Sequence, residues 1–426
     1  MRDYQRKLEK RPPIRVGIVG AGLMGGSLFA QLCHLKGFVP SVIANRSMER
    51  LQKATKGHEV TFTEDLEEAK RIVASGGTVA TTKNDLAYLA GVEVLVDATG
   101  NTLAGAELSL GALNHGVHVV SLNVEADVLI GHVLRDVARE KGLVYTGIYG
   151  DEPGSIVELY DFLDLIGFDI IALGKGKNNP LRVDATPEDL AEEAISRGLS
   201  PRMLCSFVDG TNTMIELNAV CNATGFLPDV PGCHGLSSDA KNLAKLCVTK
   251  EMGGVLDHEG VVEFVHGVAP GVFAVVRAKE EVSDYAMRFL KMGDGPAYTI
   301  YRPYHLTSLE VPVSIAKAVL DGESSIEPVG DRPVARTVAT AKRDLAEGSD
   351  LEGIGGSDVY GVLMGEEEAK DLLPIGLITE GTRLRRAAKQ GEALRFEDVI
   401  LPENILTKTY REFDSLLTRP DSKARM

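Results

Sequence analysis

Along residues 14–149, short apolar runs alternate with stretches whose apolar positions recur at helical spacing. The first run is Ile14-Arg15-Val16-Gly17-Ile18-Val19, and a helix from Leu23 to Leu35 follows it, opening on small residues. Val42-Ile43-Ala44, Val94-Leu95-Val96 and Val117-His118-Val119-Val120 read as later strands. Thr63-Glu64-Asp65-Leu66-Glu67, a hydroxyl followed by carboxylates, marks a helix start between them. Strands alternating with helices in this way predict a doubly wound parallel sheet, an α/β domain over residues 1–150.

The pattern changes after residue 150. From 151 to 330, strands (Ile170-Ile171-Ala172-Leu173, Val272-Phe273-Ala274-Val275-Val276, Tyr298-Thr299-Ile300-Tyr301) mix with helices (Pro187–Arg197, Met214–Ala223, Ala240–Val248), which predicts an α+β domain. Residues 331–368 are rich in Gly, Pro, Asp and Ser, with Ile354-Gly355-Gly356-Ser357-Asp358 as a turn, and read as a linker region. From 369 to 426, short strands and turns such as Leu384-Arg385-Arg386-Ala387, Gly391-Glu392 and Asp398-Val399-Ile400 predict a small β-rich domain.

Bulk properties narrow the function. The chain has 426 residues, enough for two or three domains, and 44% hydrophobic with 25% charged residues is ordinary for a globular protein. A net charge of −15 argues against sequence-independent nucleic-acid binding, yet leaves room for a local basic pocket. Cys33, Cys205, Cys221, Cys233 and Cys247 show no CxxC spacing and read as reduced thiols of a cytoplasmic protein. Met1–Pro13 is charged, without the apolar core of a signal peptide, and no apolar run of about 18 residues predicts a membrane span. Neither GxSxG nor HExxH occurs, so hydrolases of those types are not supported.

Gly20-Ala21-Gly22-Leu23-Met24-Gly25 is a GxGxxG that follows a strand and opens a helix, the context in which it binds a dinucleotide. Gly20 permits the turn, Gly22 lets the backbone approach the pyrophosphate, Gly25 lets helix and sheet pack closely, and Leu23 and Met24 complete the loop. The second strand ends in Asn45-Arg46-Ser47, where an NAD site usually carries a carboxylate for the ribose hydroxyls. Arg46 suits a 2′-phosphate, so the expected cofactor is NADP in preference to NAD; Ser47 also fits as a helix cap. Asp97-Ala98-Thr99-Gly100-Asn101 ends another strand on the ligand side of such a sheet, which puts Thr99 and Gly100 beside the cofactor. Asn101 and Thr102 are either cofactor-side residues or helix caps.

Further on, Gly174-Lys175-Gly176-Lys177-Asn178-Asn179-Pro180 follows an apolar strand. Lys175, Lys177 and Asn178 bring ammonium and amide donors together, as a phosphate or carboxylate site requires, although lysines in a turn are commonly solvated. Asp209-Gly210-Thr211-Asn212-Thr213 precedes a helix containing Glu216, with Asp209 or Thr213 as a cap and Asn212 facing substrate. If buried, Glu216 is an acid/base or a hydroxyl ligand. Ser237-Ser238-Asp239-Ala240-Lys241 opens another helix; capping explains Asp239, and a solvated face explains Lys241 with Lys245. The alternative is that Lys241 polarises or protonates a substrate oxygen beside Asp239. Asp151-Glu152 supplies hard oxygen ligands for a divalent cation, or orders a hinge between domains. His234, His266 and His305 show no ligand spacing.

These motifs together resemble the homoserine dehydrogenase superfamily over residues 14–325. Val119-Val120-Ser121-Leu122-Asn123 is similar to a strand that ends beside the cofactor in that group, which adds Asn123 to the cofactor residues. Val124 stands at the place of that strand's lysine, and Leu243, not lysine, comes four residues after Asp239; both departures point away from homoserine as substrate. The chain is closer to the deoxyxylulose-phosphate-reductoisomerase-like branch, which carries a C-terminal SAF domain. The stretches are Asn123–Asp127, Gly150–Gly154, Gly174–Pro180 and Ser237–Leu243, with Leu373–Glu403 similar to the SAF module. The resemblance implies a Rossmann fold with a catalytic and dimerisation domain, and a helix at about 311–322 that returns to the Rossmann domain. It also implies NADPH-dependent reduction of a small phosphorylated keto sugar, as in 1-deoxy-D-xylulose 5-phosphate reductoisomerase and isoprenoid biosynthesis. Lys241, Asp239 and Glu216 would then handle protons, and a homo-oligomer, dimer or tetramer, is expected with neither nucleic acid nor membrane as partner. The alternatives are a homoserine-type or other hydroxy-acid dehydrogenase and a non-catalytic NADP sensor.

Overall fold

The computed structural model describes residues 2–417, and they form two compact units. The first comprises the described residues of Met1–Gly154, Leu306–Glu327 and Asn404–Met426; the second comprises Ser155–His305 and Pro328–Glu403. Among the described residues, no helix is long and apolar enough to cross a membrane.

The first unit is built on seven parallel strands: β1 (Ile14–Val19), β2 (Phe38–Ala44), β3 (Thr61–Phe62), β4 (Val79–Thr81), β5 (Val94–Asp97), β6 (His118–Ser121) and β7 (Tyr145–Gly147). Their order is β3-β4-β2-β1-β5-β6-β7. The chain leaves β1 toward β2 on one side and resumes on the other at β5, so the ends of β1 and β5 flank the crevice where such sheets bind ligands. Helices cover both faces, which is why β1 and β5 are apolar runs rather than alternating ones. Strand β2 starts four residues before the apolar run Val42–Ala44. Pro40, which hides its first half from a strand reading, sits where the register with β1 shifts. The helix Val311–Asp321 contributes Val311, Ile315, Ala316 and Ala318 to the same core as Ile14, Val16 and Ile18.

The chain's last described segment departs from the strands and turns expected there. Ile405–Leu417 is a helix that packs on the helices Thr102–Asn114 and Val124–Glu140. Its buried Leu406, Tyr410 and Phe413 recur at helical spacing, and Asn404 caps it by accepting from the Thr407 N–H at 2.9 Å. Residues 418–426 of the expected β-rich domain lie outside the described residues.

The second unit holds a mixed sheet of β8 (Asp169–Lys177), β9 (Leu227–Pro228), β10 (Leu236–Ser237), β11 (Val261–His266), β12 (Val272–Arg277) and β13 (Ala297–Arg302). The order is β10-β11-β8-β12-β13, with β9 also on β11; β12 runs antiparallel to both its neighbours. One face carries Leu173, Val262, Phe264, Val272, Ala274 and Val276 against Met214, Leu217 and Val220 of the helix Thr211–Thr224. The other carries Ile171, Val265, Phe273 and Val275 against Leu243 and Cys247. The inner strand β11 is obscured in the sequence by Glu263. That side chain is buried because its carboxylate accepts the N–H groups of His234, Gly235 and Phe264 at 2.9, 3.1 and 2.8 Å.

Residues 331–368, read as a linker, instead contain β14 (Ala335–Ala341) and β15 (Val359–Gly365), paired antiparallel along their whole length. β14 consists of small and β-branched residues plus one arginine, so it lacks the large apolar side chains that mark a strand, yet all seven residues are buried. The hairpin is bonded to the helix Thr211–Thr224: the Gly361 N–H donates to Thr211 Oγ1 at 2.9 Å, and Thr337 Oγ1 donates to the Met214 carbonyl at 3.2 Å. Short pieces follow, including the pair β16 (Arg383–Leu384) and β17 (Val399–Ile400), tied to β14 by backbone bonds such as Ala339 N–H to the Leu373 carbonyl.

Candidate active site

At the end of β1, Gly20 has φ 111°, and a Cβ there would lie 2.4 Å from the Ala98 carbonyl oxygen. A Cβ on Gly25 would lie 1.8 Å from the Gly20 oxygen. These two positions accept only glycine, and the contact with Ala98 joins the β1 loop to the β5 loop. A Cβ on Gly22 would meet no atom within 4 Å, so this backbone faces open space. Gly22 also starts the helix Leu23–Leu32 without a side-chain cap, leaving first-turn N–H groups at the positive end of the helix. Leu23 and Met24 are exposed beside it. A cradle that a side chain would fill, backed by N–H donors, fits the pyrophosphate of a dinucleotide.

Past β2, Asn45 Oδ1 accepts the Ser47 N–H at 2.9 Å, and Ser47 Oγ accepts the Arg50 N–H at 3.3 Å. Ser47 is therefore the cap of the helix Met48–Ala54. Arg46 is exposed, and its guanidinium makes no hydrogen bond or ion pair among the described residues. At the end of β5, Thr99 and Asn123 turn inward. Asp97 Oδ1 accepts the Thr99 N–H and hydroxyl at 2.9 and 2.7 Å. The Asn123 amide reaches Asp97 Oδ2 at 3.0 Å, Thr99 Oγ1 at 3.1 Å and the Asn101 carbonyl at 2.9 Å. Burial pushes the Asp97 carboxyl up, and the bonds from Thr99 and Asn123 pull it back. The side chains of Thr99 and Asn123 thus shape the loop from inside, while Gly100, at φ 60°, has open space where a Cβ would go. Asn101 caps the helix Thr102–Asn114 through the Ala104 N–H at 2.9 Å.

In the second unit, Lys175 and Lys177 lie two residues apart on β8 and share one face of the sheet. Both are buried, at 4% and 5% exposure. Lys175 Nζ is paired with Glu216 Oε2, and Asn212, one helical turn earlier, donates to Glu216 Oε1 at 2.7 Å. Glu216 is 6% exposed, so the helix buries it against the lysine. Lys177 Nζ donates to the Phe207 carbonyl at 2.5 Å. Burial first, then the Lys175 charge, bring the Lys177 ammonium down to about 8; Glu216 and Asp209 oppose the shift. Asn178 follows on the exposed turn.

Two further basic residues share this end and face. His266 stands opposite Lys177 on β11. Arg302 stands level with Lys175 across Val272, bonded to Glu158 Oε2 at 2.6 Å and lying over the Tyr304 ring at 4.8 Å. Neither has a sequence signal at the site, because only the strand register brings them together. Behind them, Lys342 Nζ lies 2.8 Å from Asp209 Oδ2, both side chains fully buried, and donates to the Ala185 and Gly356 carbonyls at 2.7 Å each.

Asp239 and Lys241 are placed differently. Both are exposed, and Asp239 Oδ1 accepts the N–H groups of Lys241 and Asn242 at 3.0 Å each. That turn delays the helix, which covers only Leu243–Leu246 rather than Ala240–Val248. Leu243 packs on the face of the sheet opposite Lys175, Lys177 and Glu216. Strand register nevertheless puts Ser237, His266 and Lys177 at one end of the sheet, so Asp239 follows from that end. Asp151 and Glu152 are half-buried, with Glu152 opening the helix Glu152–Leu165. Away from these groups, the buried Asp229 holds two imidazoles, His234 at 2.7 Å and His258 at 2.9 Å.

Comparison with known proteins agrees with this division. Residues 20–146 match the family model for the homoserine dehydrogenase NAD binding domain, and residues 150–311 match that for the catalytic domain of oxidoreductase DRL. The two matched parts together have the make-up of an NAD(P)-dependent oxidoreductase. The catalytic-domain match takes in Lys175, Lys177, Glu216, His266 and Arg302 and ends before β14. The homoserine dehydrogenase of Pseudomonas aeruginosa is 26% identical over 132 residues, which is 31% of this chain and 28% of that enzyme. The chain thus spans less than a third of the length of the curated relative it matches. Solved structures with a similar fold include myo-inositol 2-dehydrogenase from Lactobacillus plantarum (TM-score 0.40, 14% identity, 73% of this chain and 91% of that one). Another is scyllo-inositol dehydrogenase from Lactobacillus casei (TM-score 0.37, 15% identity, 63% and 74%).

Proposed function

We propose that this oxidoreductase reduces a carbonyl of a small phosphorylated keto sugar with NADPH. The carrying observation is the end of the second sheet where Lys175, paired with Glu216, and Arg302, bonded to Glu158, share one face with Lys177, whose ammonium contacts a carbonyl and no carboxylate among the described residues. An anionic substrate is the natural complement of that end. When bound, NADPH supplies a hydride. Arg46, exposed and without a partner among the described residues, would hold the 2′-phosphate, and Gly20, Gly22 and Gly25 the pyrophosphate. Lys177, held near pKa 8 by burial, is tuned to give a proton to the developing alkoxide. Glu216, fixed by Lys175 and Asn212, would orient substrate hydroxyls.

The specific activity favoured is that of a 1-deoxy-D-xylulose 5-phosphate reductoisomerase, in which a skeletal rearrangement precedes reduction. Asp151 and Glu152 are hard oxygen donors that suit Mg²⁺ completed by waters and substrate oxygens. A homo-oligomer, a cytoplasmic setting and an SAF-like role for Leu373–Glu403 complete the reading. The test is anaerobic NADPH oxidation with keto-sugar phosphates, their unphosphorylated counterparts and aspartate semialdehyde, with and without Mg²⁺. Turnover confined to phosphorylated substrates is the expected result, and none on any of them overturns the proposal. A homoserine-type dehydrogenase is the second reading, favoured by the homoserine dehydrogenase match of the NAD-binding part; reduction of aspartate semialdehyde alone would select it.

A further inference from the structure

We infer that Lys342, on the β14–β15 hairpin beyond the span of either family match, is a positioning residue for Lys177 that acts through Asp209. Lys342 follows directly on β14. Its ammonium is 2.8 Å from Asp209 Oδ2, with the Ala185 and Gly356 carbonyls as further acceptors and Cys205 Sγ at 3.4 Å. Asp209 ends the helix Pro201–Val208, and its Oδ1 accepts the Thr211 N–H at 2.8 Å at the start of the helix bearing Asn212 and Glu216. One carboxylate therefore fixes the junction of two helices. The first presents the Phe207 carbonyl to Lys177, and the second presents Glu216 to Lys175. A buried carboxylate at that junction needs a counter-charge, and Lys342 is the cation in contact with it. The charged and titratable groups around Lys177 are Lys175 on its own strand, His266 opposite, Glu216 on the long helix and Asp209, with Lys342 behind Asp209.

The inference rests on Lys177 as proton donor, so its test measures Lys177 directly as well as turnover. Competitive acetylation across pH, read by mass spectrometry of the full-length protein, gives the midpoint at which Lys177 loses its proton. Asp209 favours the charged lysine, so Asp209→Asn should lower that midpoint by about one pH unit. Lys342→Met leaves the full Asp209 charge acting on Lys177 and should raise the midpoint by a similar amount. The pH–rate profile of carbonyl reduction should move with the labelling in both variants. Opposite labelling shifts without rate shifts would uphold the Lys342 inference and remove Lys177 as proton donor. Midpoints unmoved in both folded variants would overturn the inference. If either single variant fails to fold, the neutral pair Asp209→Asn with Lys342→Met, which leaves no lone buried charge there, takes its place. Faster acetylation of Lys177 in that double variant, from loss of the fixed Phe207 carbonyl, is expected, and an unchanged rate would overturn the inference.

Discussion

At the end of β1 the chain offers a ligand its backbone: Gly22 facing open space, and a helix start without a side-chain cap. Asp97, the buried carboxylate at the end of the neighbouring β5, is engaged by Thr99 and Asn123. At the end of β8 the chain offers side chains instead, with Lys175 and Glu216 buried together, Lys177 above a carbonyl and Arg302 in register. A peptide N–H keeps its place wherever the fold keeps its shape. A buried ammonium keeps its place only while its counter-charges do, and here they come from segments far apart in the chain. The first region is therefore suited to holding a common cofactor, and the second to setting the protonation state of Lys177, the proposed proton donor.

The largest effect that would sharpen this contrast is at Lys177. Lys177→Met should lower kcat by about 10²–10⁴-fold with little change in the KM for NADPH. In the proposed reduction the ammonium form would be the donor. The wild-type rate should therefore hold below pH 8 and fall as pH rises through about 8, while the oxidative rate, which needs the free amine, rises over the same range. Lys177→Arg keeps the charge but does not release a proton near neutrality, so it should not restore turnover. A steady-state pH profile in both directions checks all three outcomes, and a wild-type profile flat across pH 8 would remove the distinction between the two regions.

Next in size is the buried pair. Glu216→Gln takes the carboxylate from Lys175 and should cost about 3 kcal/mol of stability. Combining it with Lys175→Met should recover most of that loss, because the pair is then neutral. Chemical denaturation of the single and double variants measures it, and equal losses in both would mean that packing rather than charge holds this site.

How far each region can be read from sequence follows from the same difference. The parallel sheet was legible because its strands are apolar on both faces, and Gly20–Gly25 because a steric demand on the backbone leaves glycine as its trace. Lys175 and Lys177 were visible as a pair, and Asn212 and Glu216 as a helix start, but not that they meet. His266 and Arg302 carry no local mark, since strand register alone aligns them with the lysines. Lys342 was hidden further, in a segment whose small residues and turns resemble a linker although β14 is wholly buried. Asp239 and Lys241 drew attention as a motif, yet Asp239 closes its own turn and both stay in solvent. Local spacing finds turns and caps; it does not find a charge pair closed across a fold.

Cofactor choice tests the backbone-built region by its one projecting cation. Arg46→Ala should weaken NADPH relative to NADH by about tenfold to a hundredfold, the worth of a charge-assisted bond to a 2′-phosphate. The ratio of kcat/KM for the two cofactors reads this. An unchanged ratio would mean that Arg46, exposed as it is, does not meet the cofactor.

The smallest effect separates a cap from a ligand at the neighbouring position. Ser47 Oγ accepts the Arg50 N–H, so Ser47→Ala should cost about 1 kcal/mol of stability while the KM for NADPH stays as in the wild type. A raised KM with an unchanged thermal midpoint would instead make the hydroxyl a cofactor ligand. Ser47→Asp distinguishes the two further. Aspartate caps as well as serine does, so stability should be kept, but its carboxylate would stand one residue from Arg46 and oppose a 2′-phosphate while accepting from ribose hydroxyls. The preference should then turn toward NADH without loss of fold. A region whose anion-binding power comes mainly from peptide groups is expected to change cofactor through one projecting side chain, whereas the lysine site, whose members hold one another in place, is not expected to change substrate so simply.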